Sequence, residues 1–193
     1  ISEYNVPQNR KRFTLIANRI NENEITPIRK KGKKKMVKDV LGVENGIKKL
    51  EAGQIDSTDS LHRVAGLSEI NKERLTYVEK DGGNRLGFAG IKHLQLKCFI
   101  GKENSFKDTF GRLWWDRPAP TITTKFFSIS NGRFVHPEED RALSLREGAI
   151  LQSFPKSYKF IGTSTGAIAR LIGNAVPPEY ARRIGLAIQK NHN

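Results

Sequence analysis

Cysteine is almost missing from this chain of 193 residues. Cys98 stands alone, so no internal disulfide can form, and a small disulfide-stapled scaffold is excluded. No apolar run approaches the roughly 20 residues that a bilayer-spanning helix needs, which makes a reducing, cytosolic setting away from any membrane the default expectation. The opening residues Ile1-Ser2-Glu3-Tyr4 hold no initiator methionine, no basic segment and no apolar stretch. They are neither a signal peptide nor a natural start, and the chain reads as a piece of something longer. Metal and nucleotide motifs are missing as well. His93 and Cys98 are the only nearby pair of zinc-type ligands, and two ligands do not close a site. No Gly-x-x-x-x-Gly-Lys-Ser/Thr phosphate loop occurs, and the turn at Gly82 lacks the spacing of a dinucleotide fingerprint, so ATP-driven chemistry has no support.

Acidic residues are the other shortage: 20 Asp and Glu face 34 Lys and Arg, for a formal charge of +14. Such an excess gathers counter-anions, and the commonest dense polyanion in a cytosol is nucleic acid. The densest block is Arg29-Lys30-Lys31-Gly32-Lys33-Lys34-Lys35, with Lys38 soon after and no acidic residue inside it. A run of this kind is either a solvated loop or a set of direct phosphate contacts. Apolar residues make up 37% of the chain, and a chain of this length buries roughly 70% of its unfolded surface. A core can therefore form without staples, in one domain or two small ones.

Along the chain, residues 12–17 (Arg-Phe-Thr-Leu-Ile-Ala) form a short, mostly apolar run that predicts a buried strand. From Asn18 to about Trp115 the pattern is irregular: the basic loop, a helical stretch near residues 61–74, Gly-rich turns at Gly82-Gly83 and Gly101, and a strand-like piece over 94–100. This predicts a small, mixed, loop-rich domain. The C-terminal part is more regular. Ser144-Leu145-Arg146-Glu147 is a capping box that opens a helix running to Phe154, before Pro155. Residues 168–172 predict another short helix, and Pro178 opens the last one, on which Tyr180, Ile184 and Ile188 make a stripe that needs a partner surface.

Gly162-Thr163-Ser164-Thr165-Gly166 has the form of a nucleophile elbow between a strand-like and a helix-like segment. The only acid and base that follow are Glu179 and His192, the latter at a fraying chain end, so the small residues read better as a tight connection. Three other clusters carry more. They are Val6-Pro7-Gln8-Asn9-Arg10-Lys11-Arg12, then Arg117-Pro118-Ala119-Pro120-Thr121-Ile122-Thr123, and finally Ile172-Gly173-Asn174-Ala175-Val176-Pro177-Pro178. Between the last two stand Asn131-Gly132-Arg133-Phe134-Val135-His136-Pro137 and Leu151-Gln152-Ser153-Phe154-Pro155. In order, spacing and identity these resemble the C-terminal half of DNA (cytosine-5) methyltransferases. The first looks like the family's Gln-x-Arg-x-Arg motif, the second like the motif closing its target-recognition domain, and the third like its final Gly-Asn-x-Val motif.

The resemblance implies an α/β fold: the C-terminal part of a Rossmann-like S-adenosylmethionine-dependent methyltransferase domain, with a small mixed target-recognition domain inserted. Residues 1–18 would end the catalytic domain, 19–135 would recognise the target, and 136–193 would be closing helices returning to the catalytic domain. It further implies S-adenosylmethionine as cofactor, double-stranded DNA as partner, base flipping, restriction-modification as the setting and a bacterial-type cytoplasm. By resemblance Arg12 approaches the O2 edge of the flipped cytosine, Arg10 braces neighbouring acid and phosphate groups, and Gln8 belongs to the same catalytic motif. Either arginine could instead be a structural ion-pair partner. Thr121 takes the family position whose hydroxyl contacts the target-strand phosphate, with Thr123 and Thr124 as neighbouring substitutes. Asn174, Ala175 and Val176 flank the methionine end of the cofactor; Ala175 stands where the family has a small polar residue, so only its backbone can serve. For DNA contacts within the recognition segment the candidates are Asn84, Arg85, Arg112 and the run Lys33, Lys34, Lys35, because Arg suits guanine and Asn suits adenine in the major groove. Trp114 and Trp115 are candidates too, although large aromatics are more often core.

The family's cofactor-binding Phe-x-Gly-x-Gly, its catalytic Pro-Cys and its Glu-Asn-Val all precede the Gln-x-Arg-x-Arg motif, and nothing here matches them in order. Cys98 follows Lys97 rather than proline and reads as a buried core thiol. Cytosine C5 is a poor nucleophile until a thiolate adds to C6. The expectation is a chain inactive alone that needs an N-terminal catalytic half. The rival is a stand-alone basic DNA-binding module without catalysis.

Overall fold

The computed structural model describes residues 1–21, 23–102 and 104–192. Among them the regular elements are four α-helices, α1 (Glu69–Thr76), α2 (Leu145–Leu151), α3 (Thr165–Asn174) and α4 (Pro178–His192), joined by long irregular stretches with short 3-10 turns. Helix α2 begins as its sequence dictates. The Ser144 hydroxyl accepts from the Glu147 amide at 3.1 Å, and the Glu147 carboxylate accepts from the Ser144 amide at 2.7 Å. It ends at Leu151, three residues short of the expectation, because Ser153 turns into the left-handed region at φ 67°. The amides of Ser153 and Phe154 then close onto the carbonyls of Ile150 (2.8 Å) and Ala149 (2.9 Å), the two-bond termination that satisfies orphan carbonyls. The Ser153 hydroxyl accepts from the Glu179 amide at 3.1 Å in the first turn of α4. Ser164 caps α3 through the Ala167 amide, so the Gly-x-Ser-x-Gly serine is a helix cap, in agreement with its reading as a connection. The side chain of His192 lies outside the description.

Strand pairing among the described residues is confined to isolated bridges. Three short segments nevertheless lie side by side: Arg112 pairs parallel with Val135, and Val135 antiparallel with Ala142. Successive side chains of an extended segment point to opposite faces. Accordingly Phe134 and Leu143 enter one core while Val135 and Ala142 enter another. The larger core collects Val37, Leu41, Leu61, Leu113 and Ile122 with the apolar side chains of α2 and α3. The smaller one gathers Leu75, Val78, Phe88, Leu94, Phe110 and Ile129 around α1. Packing therefore mixes residues 37–61 with the closing helices. Trp115 packs on the larger core, meets His136 edge-on and donates its indole N–H to Glu138 at 3.0 Å.

Several expectations are corrected. Residues 12–17 form no strand: they have no backbone partner among the described residues, and Phe13 and Leu15 are 91% and 80% exposed. A strand needs a neighbour for its amides, and an apolar run alone does not supply one. Residues 94–100 are turns with a 3-10 segment at Lys97–Phe99, and Cys98 is exposed rather than core. The helix near 61–74 starts only at Glu69, since His62 and Val64 are engaged with the backbone of Asp56 and Gln54. The α/β pattern is not displayed within this chain, whose described residues hold helices and few bridges.

Candidate functional site

The three motif clusters meet at a pair of buried glutamines. Gln8, with no exposed surface, accepts from the Ile122 amide at 2.8 Å through Oε1 and donates from Nε2 to Gln152 Oε1 at 3.0 Å. Gln152, equally buried, passes the connection on by donating to the Ile172 carbonyl at 2.8 Å. The backbone reinforces this joint. Asn9 donates to the Ala119 carbonyl at 2.7 Å and Ala119 to the Pro7 carbonyl at 3.0 Å. On its other side Gly173 lies against residues 123 and 124: a Cβ there would stand 2.6 Å from the Thr123 carbonyl carbon and oxygen. Gln152 stands in the Leu151-Gln152-Ser153-Phe154-Pro155 cluster, whose sequence does not reveal this role; an amide wedged between two distant loops has no signature in a linear pattern.

Each candidate residue has its own setting. Arg10 is nearly buried and donates to the Ile122 carbonyl at 3.0 Å; desolvation, then the charge of Arg12, lowers its pKa. Arg12 is exposed, and among the described residues it reaches only the Lys11 carbonyl at 2.6 Å, with no ion pair to hold it. The Thr121 hydroxyl donates to the Asn9 carbonyl at 3.0 Å, which commits its proton inside the chain. Exposed Thr123 accepts from the Lys125 amide. Lys33 and Lys34 are exposed and Lys35 half-buried, in a run pinned at both ends by acids from elsewhere: Arg29 to Glu3 at 3.4 Å and Lys38 to Asp116.

Two recognition candidates are corrected. Arg85 is buried, donates to the carbonyls of Lys102, Ser105 (2.6 Å) and Phe106 (3.3 Å), and lies over the Phe99 ring. Arg112 is fully buried and donates to the carbonyls of Leu75 (2.9 Å), Val78 (3.1 Å), His136 (3.1 Å) and Glu139 (2.9 Å) and to Asp140. The Arg112 guanidinium ties Leu75 and Val78 of the smaller core to residues 136–140, the Arg85 guanidinium gathers the carbonyls of Lys102, Ser105 and Phe106, and both are buried. The half-buried Asn84 caps the turn at Arg85–Phe88 by accepting from the Leu86 amide.

Beside the joint lies a second buried feature that sequence reasoning missed. Arg141 grips Glu147 through two 2.8 Å bonds, with both side chains fully buried. Burial alone would raise the Glu147 pKa, but the Arg141 charge and its hydrogen bonds overcome this and hold it at about 2. Burial dominates at His136 and lowers its pKa, favouring the neutral ring. The cofactor candidates sit where α3 ends: Asn174 and Val176 are exposed and Ala175 is extended, at φ −63° and ψ 147°. Together they offer one amide side chain, a stretch of backbone and an apolar wall. That donor set fits one side of a pocket for a zwitterionic amino-acid group. Among the described residues no cluster of three or more His, Cys, Asp or Glu could hold a metal, and no helix is long and apolar enough to cross a membrane.

A family model for C-5 cytosine-specific DNA methylases matches residues 1–190. The type II methylase M.HgiDII of Herpetosiphon aurantiacus is 35% identical over an alignment covering 97% of this chain and 53% of that protein. The type II methyltransferase M1.BsuMI of Bacillus subtilis is 40% identical over 46% of this chain and 21% of its own length. Mouse DNA (cytosine-5)-methyltransferase 1 is 42% identical over 46% of this chain and 5% of its own. The chain thus spans about half the length of the first of these relatives and less of the others. With the motif clusters joined through Gln8 and Gln152 and a match running through nearly every residue, the chain belongs to the C-5 cytosine-specific DNA methylase family.

Proposed function

We propose that this chain is the DNA-recognising, C-terminal part of a restriction-modification DNA cytosine-5 methyltransferase, and that methyl transfer requires an N-terminal catalytic half. The observation that carries this reading is the Gln8 to Gln152 connection, which draws the Gln-x-Arg-x-Arg, Thr121 and Asn174 segments to one place. In it residues 1–18 and 136–193 complete a Rossmann-like methyltransferase domain and 19–135 recognise duplex DNA. The exposed Phe13 and Leu15 are then apolar surface that the N-terminal half covers.

Arg12, free of ion pairs among the described residues and at the surface, is available to donate to the O2 edge of an extruded cytosine. Arg10 fixes the path of the chain just before it by holding the Ile122 carbonyl. Asn174, the Ala175 backbone and Val176 would hold the methionine end of S-adenosylmethionine, which when bound supplies an electrophilic methyl group. Thr121 takes up a phosphate contact only after its hydroxyl turns away from Asn9. The Gly173 position does not discriminate between this reading and a stand-alone DNA-binding module, because packing against Thr123 demands glycine with or without a cofactor.

The test is binding of the chain to duplex DNA across a salt series, alongside incubation with tritiated S-adenosylmethionine and mixed-sequence DNA. Affinity should fall steeply with salt, each phosphate contact contributing about −0.9 to the logarithmic slope, and the DNA should remain unlabelled. A slope near zero overturns the DNA reading. Labelled cytosine from the pure chain overturns the need for a second half.

A further inference from the structure

Trp114 carries two guanidiniums. Arg133 has its Cζ 3.9 Å from the indole centroid and Arg117 its Cζ at 4.4 Å, both inside the range in which a cation is held by an aromatic face. The two arginines differ in every other respect. Arg133 is buried and donates to the carbonyls of Gly82 (2.8 Å), Gly83 (3.0 Å) and Arg112 (2.7 Å) and to the Asp108 carboxylate (2.9 Å). It locks Trp114 in place from beneath, and Gly82 keeps the way clear, since a Cβ there would overlap the indole nitrogen. Arg117 is exposed and its guanidinium has no hydrogen bond or ion pair among the described residues.

The lack of a partner is not for want of carboxylates. Asp116 is adjacent in sequence but is paired with Lys38, and Asp108 is paired with Arg133. Both of these acids are paired with other cations, and Arg117 has no carboxylate partner among the described residues. Its backbone is held as well: its carbonyl accepts from the Val37 amide at 3.0 Å, and Ala119, two residues on, is bonded to Pro7 and Asn9. Arg117 and Trp114 line one open recess with Asn9, Pro120, Thr121 and Arg133. In that recess the Thr121 proton is committed to Asn9, which leaves Arg117 as the cationic donor without an internal partner among the described residues.

We propose that Arg117, held over Trp114, binds a DNA backbone phosphate at this recess. The inference rests on the DNA reading above and names a contact that reading does not contain. A preorganised guanidinium gives up less side-chain freedom on binding than a free surface lysine, and its planar fork matches two phosphate oxygens. A phosphate contact fixes position without reading sequence, so its effect should be the same on any duplex.

The experiment measures affinity of the chain for two duplexes of unrelated sequence at several salt concentrations, for the parent, Arg117→Gln and Arg117→Lys. Melting temperature serves as the folding control and should move only slightly, because the internal contact that Arg117 gives up is its exposed stacking on Trp114. Arg117→Gln should weaken both duplexes by the same factor, roughly threefold to tenfold, and make the logarithmic salt slope shallower by about 0.9. Arg117→Lys should keep the parent slope with a smaller loss of affinity. A parent that binds with a steep slope while Arg117→Gln leaves slope and affinity unchanged overturns this proposal alone. A loss confined to one sequence overturns it in favour of base reading. A parent that does not bind duplex DNA overturns the proposal together with the reading it rests on.

Discussion

Arg141 and Glu147 are fully buried, whereas Phe13 is 91% exposed. Side-chain polarity would order these residues the other way round. What separates the two regions is the supply of partners. Around Arg141 and Gln152 every buried charge and amide meets a complementary group, and among the described residues no buried side-chain nitrogen or oxygen lacks one. Over residues 12–17 the backbone has no hydrogen-bond partner among the described residues, and Phe13 and Leu15 stay in solvent. Burial in this protein follows from what the rest of the chain can offer a residue.

The contrast breaks most visibly at Arg141. Arg141→Ala strands the Glu147 carboxylate in the core and should destabilise the chain by about 3–5 kcal/mol in urea unfolding, while replacing both partners with leucine or methionine should recover much of that loss. If the single change costs less than the double, the pair is not what holds the region. Acid probes the same site. The Glu147 carboxyl is held at about 2 in the folded chain against 4.5 for an ordinary glutamate. A depressed folded value gives stability that is fully present above the unfolded pKa and is lost as pH falls through the folded one. The urea midpoint should therefore drop between about pH 4.5 and pH 2, and less steeply in Glu147→Gln.

Gln152→Leu is a smaller break. It leaves Gln8 Nε2 without its side-chain partner and the Ile172 carbonyl with only the longer Ala175 amide bond, for a loss of about 1–3 kcal/mol. In a double-mutant cycle with Gln8→Leu the two losses should fall short of adding, because both report one connection. Strict additivity within about 0.5 kcal/mol would mean that the glutamines act independently.

The opposite end of the contrast should be almost silent. Phe13→Ser, Leu15→Ser and Arg12→Ala should each change the stability of this chain by no more than about 0.5 kcal/mol. Joined to an N-terminal half, Arg12→Ala should instead slow single-turnover methylation roughly tenfold to a hundredfold with melting unchanged. A drop in melting temperature of the chain alone on losing Arg12 would show a partner that the exposed guanidinium does not have here.

Local signals in the sequence translated well. The capping box at Ser144 and Glu147, the first-turn Pro178 and the Gly82 turn each depend on a few neighbouring residues, and each sits where the pattern places it. The family was legible because motif order survives without knowledge of contacts. Strand expectations at 12–17 and 94–100 failed because an apolar run does not say which segment pairs with it. Arg112 misled for a related reason: its partners come from residues 75, 78, 136, 139 and 140, and nothing near position 112 announces them. Cys98 shows the same gap in reverse: Leu94 and Leu96 reach the smaller core, but the turn leaves Cys98 exposed.

Ser153 ends α2 in a left-handed conformation and accepts the Glu179 amide with the same side chain. One residue therefore closes the last turn of one helix and the first turn of the next, so neither end can fray without disturbing the other. Backbone amides on the two sides of this link, Phe154 and Glu179, should exchange with solvent deuterium at matched rates, as parts of one cooperative opening unit. Ser153→Gly makes the distinction visible: it relieves the left-handed backbone and removes the hydroxyl. Protection at Phe154 should survive this change while protection at Glu179 falls, turning one opening event into two.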